Sequence, residues 1–224
     1  MTRQFHRPAR LDPEVAEAIE GGEDPAVASE LAHRTAQALV GGFPEPDGAR
    51  EIEPITREGV VAVVAAHGVD AVAELWADSP ATTLPGALWR LFLVREWIRR
   101  DPALVERRYA TVVDLTGPDD DGALASRLDA ALAQGRPAIA PEELRQRLDS
   151  ALAGALEGSV PALAPLLATT SSFLGALAAG SAPQWIDDDA DPLADRVTRR
   201  DSALLATADE LADAAARAQA GLLD

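Results

Sequence analysis

The chain has 224 residues, of which 47% are hydrophobic and 4% aromatic, and its formal net charge is −17. This length buries enough surface for a fold without disulfides, and the absence of cysteine excludes disulfides, thiolate nucleophiles and cysteine metal sites. The negative charge disfavours binding to a nucleic-acid backbone.

The first 55 residues are predicted to form an arm, a helical pair and a linker. Residues 1–10 carry scattered arginines without apolar periodicity, which indicates a mobile arm and no secretory signal. Within 11–42, Asp12-Pro13 and Asp24-Pro25 each begin a helix, because Asp caps free N–H groups and Pro fits the first turn. Residues 43–55 are rich in proline and predict a linker loop.

Residues 56–182 are predicted to form the helical core, and 84–100 its buried central helix. From Ala87 to Val94 every residue except Arg90 is apolar, and a helix of this kind is normally enclosed by neighbours. Trp89 and Trp97 offer large areas for burial. The predicted fold is all-α, a compact multi-helix bundle or orthogonal array around 84–100. Further helices are expected at 56–67, 69–77, 102–115, 123–134, 141–157 and 161–179.

The stretch from Gly158 to Ile186 has no charged residue and exceeds the length that spans a bilayer. Its prolines, hydroxyl residues and glycine make it only mildly hydrophobic. Its nearest flanking charges, Glu157 and Asp187, are acidic, whereas spanning helices have basic flanks on the cytoplasmic side. This pattern predicts a core helix and no membrane partner.

Residues 183–191 form a predicted acidic loop. Asp187, Asp188 and Asp191 match the spacing of the DDxxD pattern, with which isoprenoid-type synthases bind magnesium and diphosphate. However, prolines flank the cluster, and no second acidic motif follows it. The preferred interpretation is a solvated turn in which Asp191 caps the final helix, so no metal site is assigned. Asp187, Asp188 and Asp191 remain the weak candidates for metal ligands.

Arginines are concentrated on and just after the central helix, although the chain as a whole is acidic. They indicate either an anion site for a phosphate or an acidic partner, or internal pairing with acidic loops such as 119–121 and 187–191. Internal pairing is the preferred interpretation. The candidates for an anion site are Arg90, Arg95, Arg99 and Arg100.

The C-terminal helix, predicted over 192–222, carries a stripe of four residues at seven-residue intervals. The stripe packs either on the chain's own core or on a second copy, and its regularity favours a homodimer. Asp201-Ser202 is a possible break in this helix. The stripe consists of Val197, Leu204, Leu211 and Ala218.

The segment TTLPGALWRLFLVREWIRRDP, residues 82–102, resembles a segment of uncharacterised short helical proteins from high-GC actinobacteria. The resemblance covers about a tenth of the chain. It implies a helical, cytoplasmic protein and carries no functional motif.

No catalytic signature stands out in the sequence. The leading hypothesis is a non-catalytic helical interaction or regulatory module that self-associates, located in the cytoplasm and without a cofactor. The alternative is a protein that binds a phosphate-bearing small molecule, or a magnesium-dependent enzyme, which would combine the acidic loop with the arginine-rich helix. A DNA-binding regulator is disfavoured by the net charge.

Overall fold

The computed structural model describes residues 24–41, 55–114, 139–156, 158–179 and 192–224. In these ranges the fold is all-α, as predicted, and contains eight α-helices, one short 3₁₀ helix and no strand. The predicted arm, the helix at 123–134 and the loop at 183–191 lie outside them. The helices are α1 (Pro25–Val40), α2 (Arg57–His67), α3 (Asp70–Ala73), α4 (Leu84–Arg100), α5 (Pro102–Asp114), α6 (Pro141–Leu152), α7 (Val160–Ala179) and α8 (Pro192–Gln219).

Helix α4 has the bounds that its sequence predicts. The Thr83 hydroxyl accepts a hydrogen bond from the N–H of Gly86, and a proline occupies the first turn. Ten of the 17 residues are buried, and the helix packs against α1, α6 and α8 among others. The enclosure is incomplete, because Leu93 is 43% exposed and both tryptophans, Trp89 and Trp97, are only half-buried.

The largest fully buried side chain of the described residues is instead Trp76. It lies in a short 3₁₀ helix, Glu74–Trp76, that follows α3, where the sequence predicts one continuous helix over 69–77. Its indole N–H donates to the hydroxyl oxygen of Thr35 on α1 at 3.1 Å, which satisfies the buried donor. Trp76 therefore connects α1 to the segment that leads into α4.

Two other helices also differ from their predicted extents. Helix α6 ends at Leu152 and not near 157, because the chain turns at Gly154, whose φ is +81°. Positive φ is accessible to glycine at little cost, which is why glycine commonly ends helices. Helix α8 runs without interruption through Asp201-Ser202, where a break was possible.

Helices α7 and α8 form the most extensive helix pair of the described fold. Leu211 and Ala218, two members of the heptad stripe, are fully buried in the chain itself. The Ser171 hydroxyl on α7 donates to the carbonyl oxygen of Ala208 on α8 at 2.7 Å. Leu211 and Ala218 thus pack within the chain's own core, which is the alternative to a dimer seam that the sequence left open.

Candidate functional site

The four arginines proposed as an anion site do not converge on one place. Arg90 and Arg95 are five residues apart, which separates them by about 140° around a helix. Arg90 donates to a carboxylate oxygen of Glu210 on α8 at 2.5 Å and to the carbonyl oxygen of Gly86 at 2.9 Å. It therefore joins α4 to α8, away from the other three arginines.

Arg95, Arg99 and Arg100 surround the carboxylate of Glu96, whose side chain is only 6% exposed. Arg99 binds it through two nitrogens, at 2.9 and 2.7 Å, and Arg100 through one at 3.0 Å. Arg95 contacts the same carboxylate and also donates to Asp149 on α6 at 2.7 Å. In the structure these guanidinium groups contact carboxylates of α4 and α6. The loops named from the sequence, 119–121 and 187–191, lie outside the described residues, so the structure does not bear on them.

The lowered pKa of Glu96 shows that the surrounding arginines stabilise its charged carboxylate. Hydrogen bonding by Arg99 lowers the pKa of the carboxyl from 4.5 to about 2, with a further contribution from Arg100, although burial acts in the opposite direction. The same contact raises the pKa of Arg99. The sequence did not reveal Glu96 as the centre of the cluster, because its burial depends on tertiary packing.

The candidate metal ligands Asp187, Asp188 and Asp191 lie outside the described residues, so the structure does not bear on them. Across the described ranges, no three histidine or acidic side chains come close enough together to hold a metal ion. The arginines proposed as an anion site already form ion pairs with carboxylates of α4, α6 and α8.

The outer side of α7 differs from every other helical surface that the structure describes. Each of the other described helices has at least one exposed charged side chain, whereas α7 contains no charged residue. Its stretch Val160–Ala178 is also long and apolar enough to cross a membrane by length and composition, but just over half of it is buried. The exposed residues of α7 are Pro161, Ala162, Pro165, Ala168 and Ser172.

A groove with a volume of about 410 Å³ lies beside this surface, between α6 and α7. Its α7 wall consists of Ala162, Pro165, Leu166 and Thr169, and the α6–α7 connection contributes Leu156. The opposite wall is polar and belongs to α6, where Glu143 and Arg147 form an exposed ion pair at 2.7 Å. An uncharged helix surface and an open groove are therefore continuous along one side of the molecule.

Sequence reasoning missed this surface because it assigned the whole uncharged stretch to the core. The lack of charge was visible, but a helix that is apolar on most sides does not indicate which side stays exposed. The spacing of Pro161, Pro165, Ala168 and Ser172, at intervals of four, three and four, places these residues on one side of a helix. The buried Leu163, Leu167, Thr170 and Leu174 have the same spacing, so the sequence carried no signal that separates the two sides.

Comparison of the chain with models of protein families, with curated proteins and with solved structures finds no match. The resemblance of residues 82–102 to actinobacterial proteins thus stays a prediction.

Proposed function

We propose that the protein is a non-catalytic helical interaction module that associates with a second copy of itself. The observation that supports this proposal is the uncharged outer surface of α7 on a chain with a formal net charge of −17. Two acidic copies repel each other, so an uncharged surface is where they meet at the lowest electrostatic cost.

The proposal includes a cytoplasmic location without a membrane partner. Helix α7 is apolar, but Leu163, Leu167 and Leu174 are fully buried among the chain's own helices. Because these leucines are buried in the protein core, the residues that α7 exposes are mainly proline, alanine and serine. Such a surface suits close helix packing better than insertion into lipid.

The alternative function, binding of a phosphate-bearing ligand by the arginine-rich helix, has less support. Arg95 and Arg99 already contact buried or half-buried carboxylates, and an incoming phosphate has to compete with them. Arg145, a further cation beside Asp149, is itself paired with Asp149 and Glu142 at 2.5 and 2.6 Å.

Sedimentation equilibrium across a concentration series tests the proposed function. We expect a mass that rises from the monomer value of 23.5 kDa towards twice that value below about 100 µM protein. Higher salt should strengthen the association, because salt screens the repulsion between two acidic chains while the outer surface of α7 carries no charge. A mass that stays monomeric throughout the series at both low and high salt contradicts self-association.

A further inference from the structure

We propose that residues 221–224, which follow α8, form a strap that closes the first turn of α4 and opens while the other helices stay folded. The observation that carries this proposal is a main-chain contact between distant parts of the chain. The N–H of Leu84 donates to the main-chain oxygen of Asp224 at 2.8 Å. The strap does not depend on an association through α7.

The strap begins with a reversal of the chain at the end of α8. Gly221 has a φ of +70°, a left-handed conformation that glycine adopts at little cost. Its N–H donates to the carbonyl oxygen of Ala218 at 3.1 Å, and the N–H of Leu222 donates to that of Arg217 at 2.8 Å. Hydrogen bonds of this kind end a helix, so the chain leaves the axis of α8 and turns back towards the fold.

A buried side chain and a hydrogen bond fasten the strap. Leu223 is only 2% exposed and belongs to the same hydrophobic core as Leu84, which is fully buried. Leu84 is also the first residue of α4, so its N–H has no partner within the helix. The oxygen of Asp224 supplies that partner, and the closed strap thereby satisfies a donor at a buried residue.

The rest of the strap is exposed, which favours separate opening. Gly221 and Asp224 are exposed, and Leu222 is exposed by 66%. Segments with few buried apolar side chains open locally at a lower free energy than the core unfolds. Opening uncovers the N–H of Leu84 and the space that Leu223 fills, so the strap controls access to this end of the core.

Hydrogen exchange of the unmodified chain along a urea series tests the strap. Leu91 lies fully buried in the middle of α4 and serves as the reference. We expect the protection factor of the Leu84 amide to be at least about tenfold lower than that of Leu91. Low urea concentrations should hardly change the exchange rate at Leu84, because opening the strap exposes little surface, but should raise the rate at Leu91 steeply. Equal protection and equal urea dependence of the two amides would overturn the proposal.

Two buried leucines provide a matched pair of variants. Leu223→Ala should accelerate exchange at Leu84 at least about tenfold, because truncation of a buried leucine weakens the closed state. Leu148→Ala makes the same truncation at a fully buried position of α6. It should accelerate exchange at Leu91 and leave Leu84 unchanged, since the strap opens while α6 stays folded. Leu222→Ala, at the exposed neighbour, should change neither rate by more than about threefold.

The outcomes decide whether the strap is a separate unit. If Leu148→Ala accelerates both amides to the same extent, the strap opens only with the core and the proposal is wrong. If Leu223→Ala leaves the rate at Leu84 unchanged, Leu223 does not fasten the strap and the proposal is equally wrong. The urea series needs no variant, so it decides the question even if Leu148→Ala fails to fold. Sedimentation equilibrium tests self-association separately, and its result does not alter these exchange rates.

Discussion

Glu96 is the residue whose chemistry depends most on its surroundings. It is a buried acid that contacts Arg95, Arg99 and Arg100 of its own helix. Removing a charged hydrogen-bond partner of this kind costs about 1–3 kcal/mol. We therefore expect Glu96→Gln to lower the free energy of unfolding by that amount at pH 7, measured by urea denaturation.

The same variant carries a prediction about pH. The pKa of Glu96 is lowered in the folded state from 4.5 to about 2, so its stabilising contribution is fully present above about pH 4.5 and is lost as the pH falls towards 2. The stability difference between the unmodified chain and Glu96→Gln should shrink over that window. Glu143→Gln, which breaks an exposed pair, should cost less than about 1 kcal/mol at any pH. Equal costs for the two variants would contradict a special role for Glu96.

Gly86 is the second residue for which the structure makes a sharp prediction. A Cβ atom at this position lies 1.9 Å from the carbonyl oxygen of Pro80, a backbone atom that has no free path to move away. Alanine ordinarily favours a helix over glycine by about 1 kcal/mol, but overpacking here should outweigh that gain. We expect Gly86→Ala to destabilise the protein by about 3 kcal/mol in thermal or urea unfolding.

Gly59→Ala on α2 is the matched control for the effect of helix propensity. The nearest atom to its added Cβ is the hydroxyl oxygen of Thr56 at 3.3 Å, a tight contact but not an overlap. The change should alter the free energy of unfolding by less than about 1 kcal/mol. If both glycine variants behave alike, the close approach of Pro80 to the start of α4 is not as the structure has it.

At the scale of elements, Arg57 holds three segments together. Its guanidinium donates to the carbonyl oxygens of Val40 at the end of α1 at 3.1 Å, and of Gly154 and Leu156 after α6 at 2.5 and 2.7 Å. Carbonyls at helix ends lack intrahelical partners, and this one side chain supplies donors to them. The planar fork of an arginine is suited to this task in a way that the point charge of a lysine is not.

We expect Arg57→Lys to lower the free energy of unfolding by about 2 kcal/mol, the range found for hydrogen bonds to charged groups. Arg147→Lys, in an exposed pair on α6, should change it by less than about 1 kcal/mol. Hydrogen exchange at Gly41, whose N–H caps α1, offers a local measurement and should accelerate in Arg57→Lys. Equal stability of the two lysine variants would show that Arg57 does not join these segments.

The elements themselves were largely predictable because their signals are local. Asp24 with Pro25 and Thr83 with Pro85 identify the starts of α1 and α4, and both caps are present in the structure. The end of α6 at Leu152 was missed, since the leucine periodicity continues past it and only the backbone at Gly154 changes. The partners of the arginines were also beyond prediction: Glu210 lies 120 residues from Arg90 in the chain, and only the fold brings them together.

At the scale of the whole molecule, a local sequence pattern could not show which helix surface packs inside the chain and which stays exposed. A heptad stripe has the same sequence pattern whether it packs on another chain or on another helix of its own chain. The sequence therefore left both packings of the α8 stripe open and favoured a dimer seam, whereas in the structure Leu211 is buried within the chain and α7 exposes an uncharged side. Which of two apolar helices covers the other is decided by the packing of all the helices, and no local pattern records it.

Two substitutions on α8 test that assignment. Leu211 is fully buried, and Leu205 on the same helix is 47% exposed. Leu211→Asp buries an unpaired carboxylate, which costs several kcal/mol of a total stability of about 5–15 kcal/mol, so we expect the chain to lose its cooperative thermal transition. Leu205→Asp adds the same charge to solvent and should unfold within about 1 kcal/mol of the unmodified chain.

The oligomeric states of the two α8 variants test whether the chain associates through α7 or through α8. Because the proposed association is through the outer surface of α7, Leu205→Asp should keep the dissociation constant of the unmodified chain, measured by sedimentation equilibrium. A Leu211→Asp chain that remains folded, with intact helix content and a cooperative transition, but sediments as a monomer would return the dimer seam to α8. In that case α7 would not cover the stripe in solution, and the proposed association through the outer surface of α7 would lose its basis.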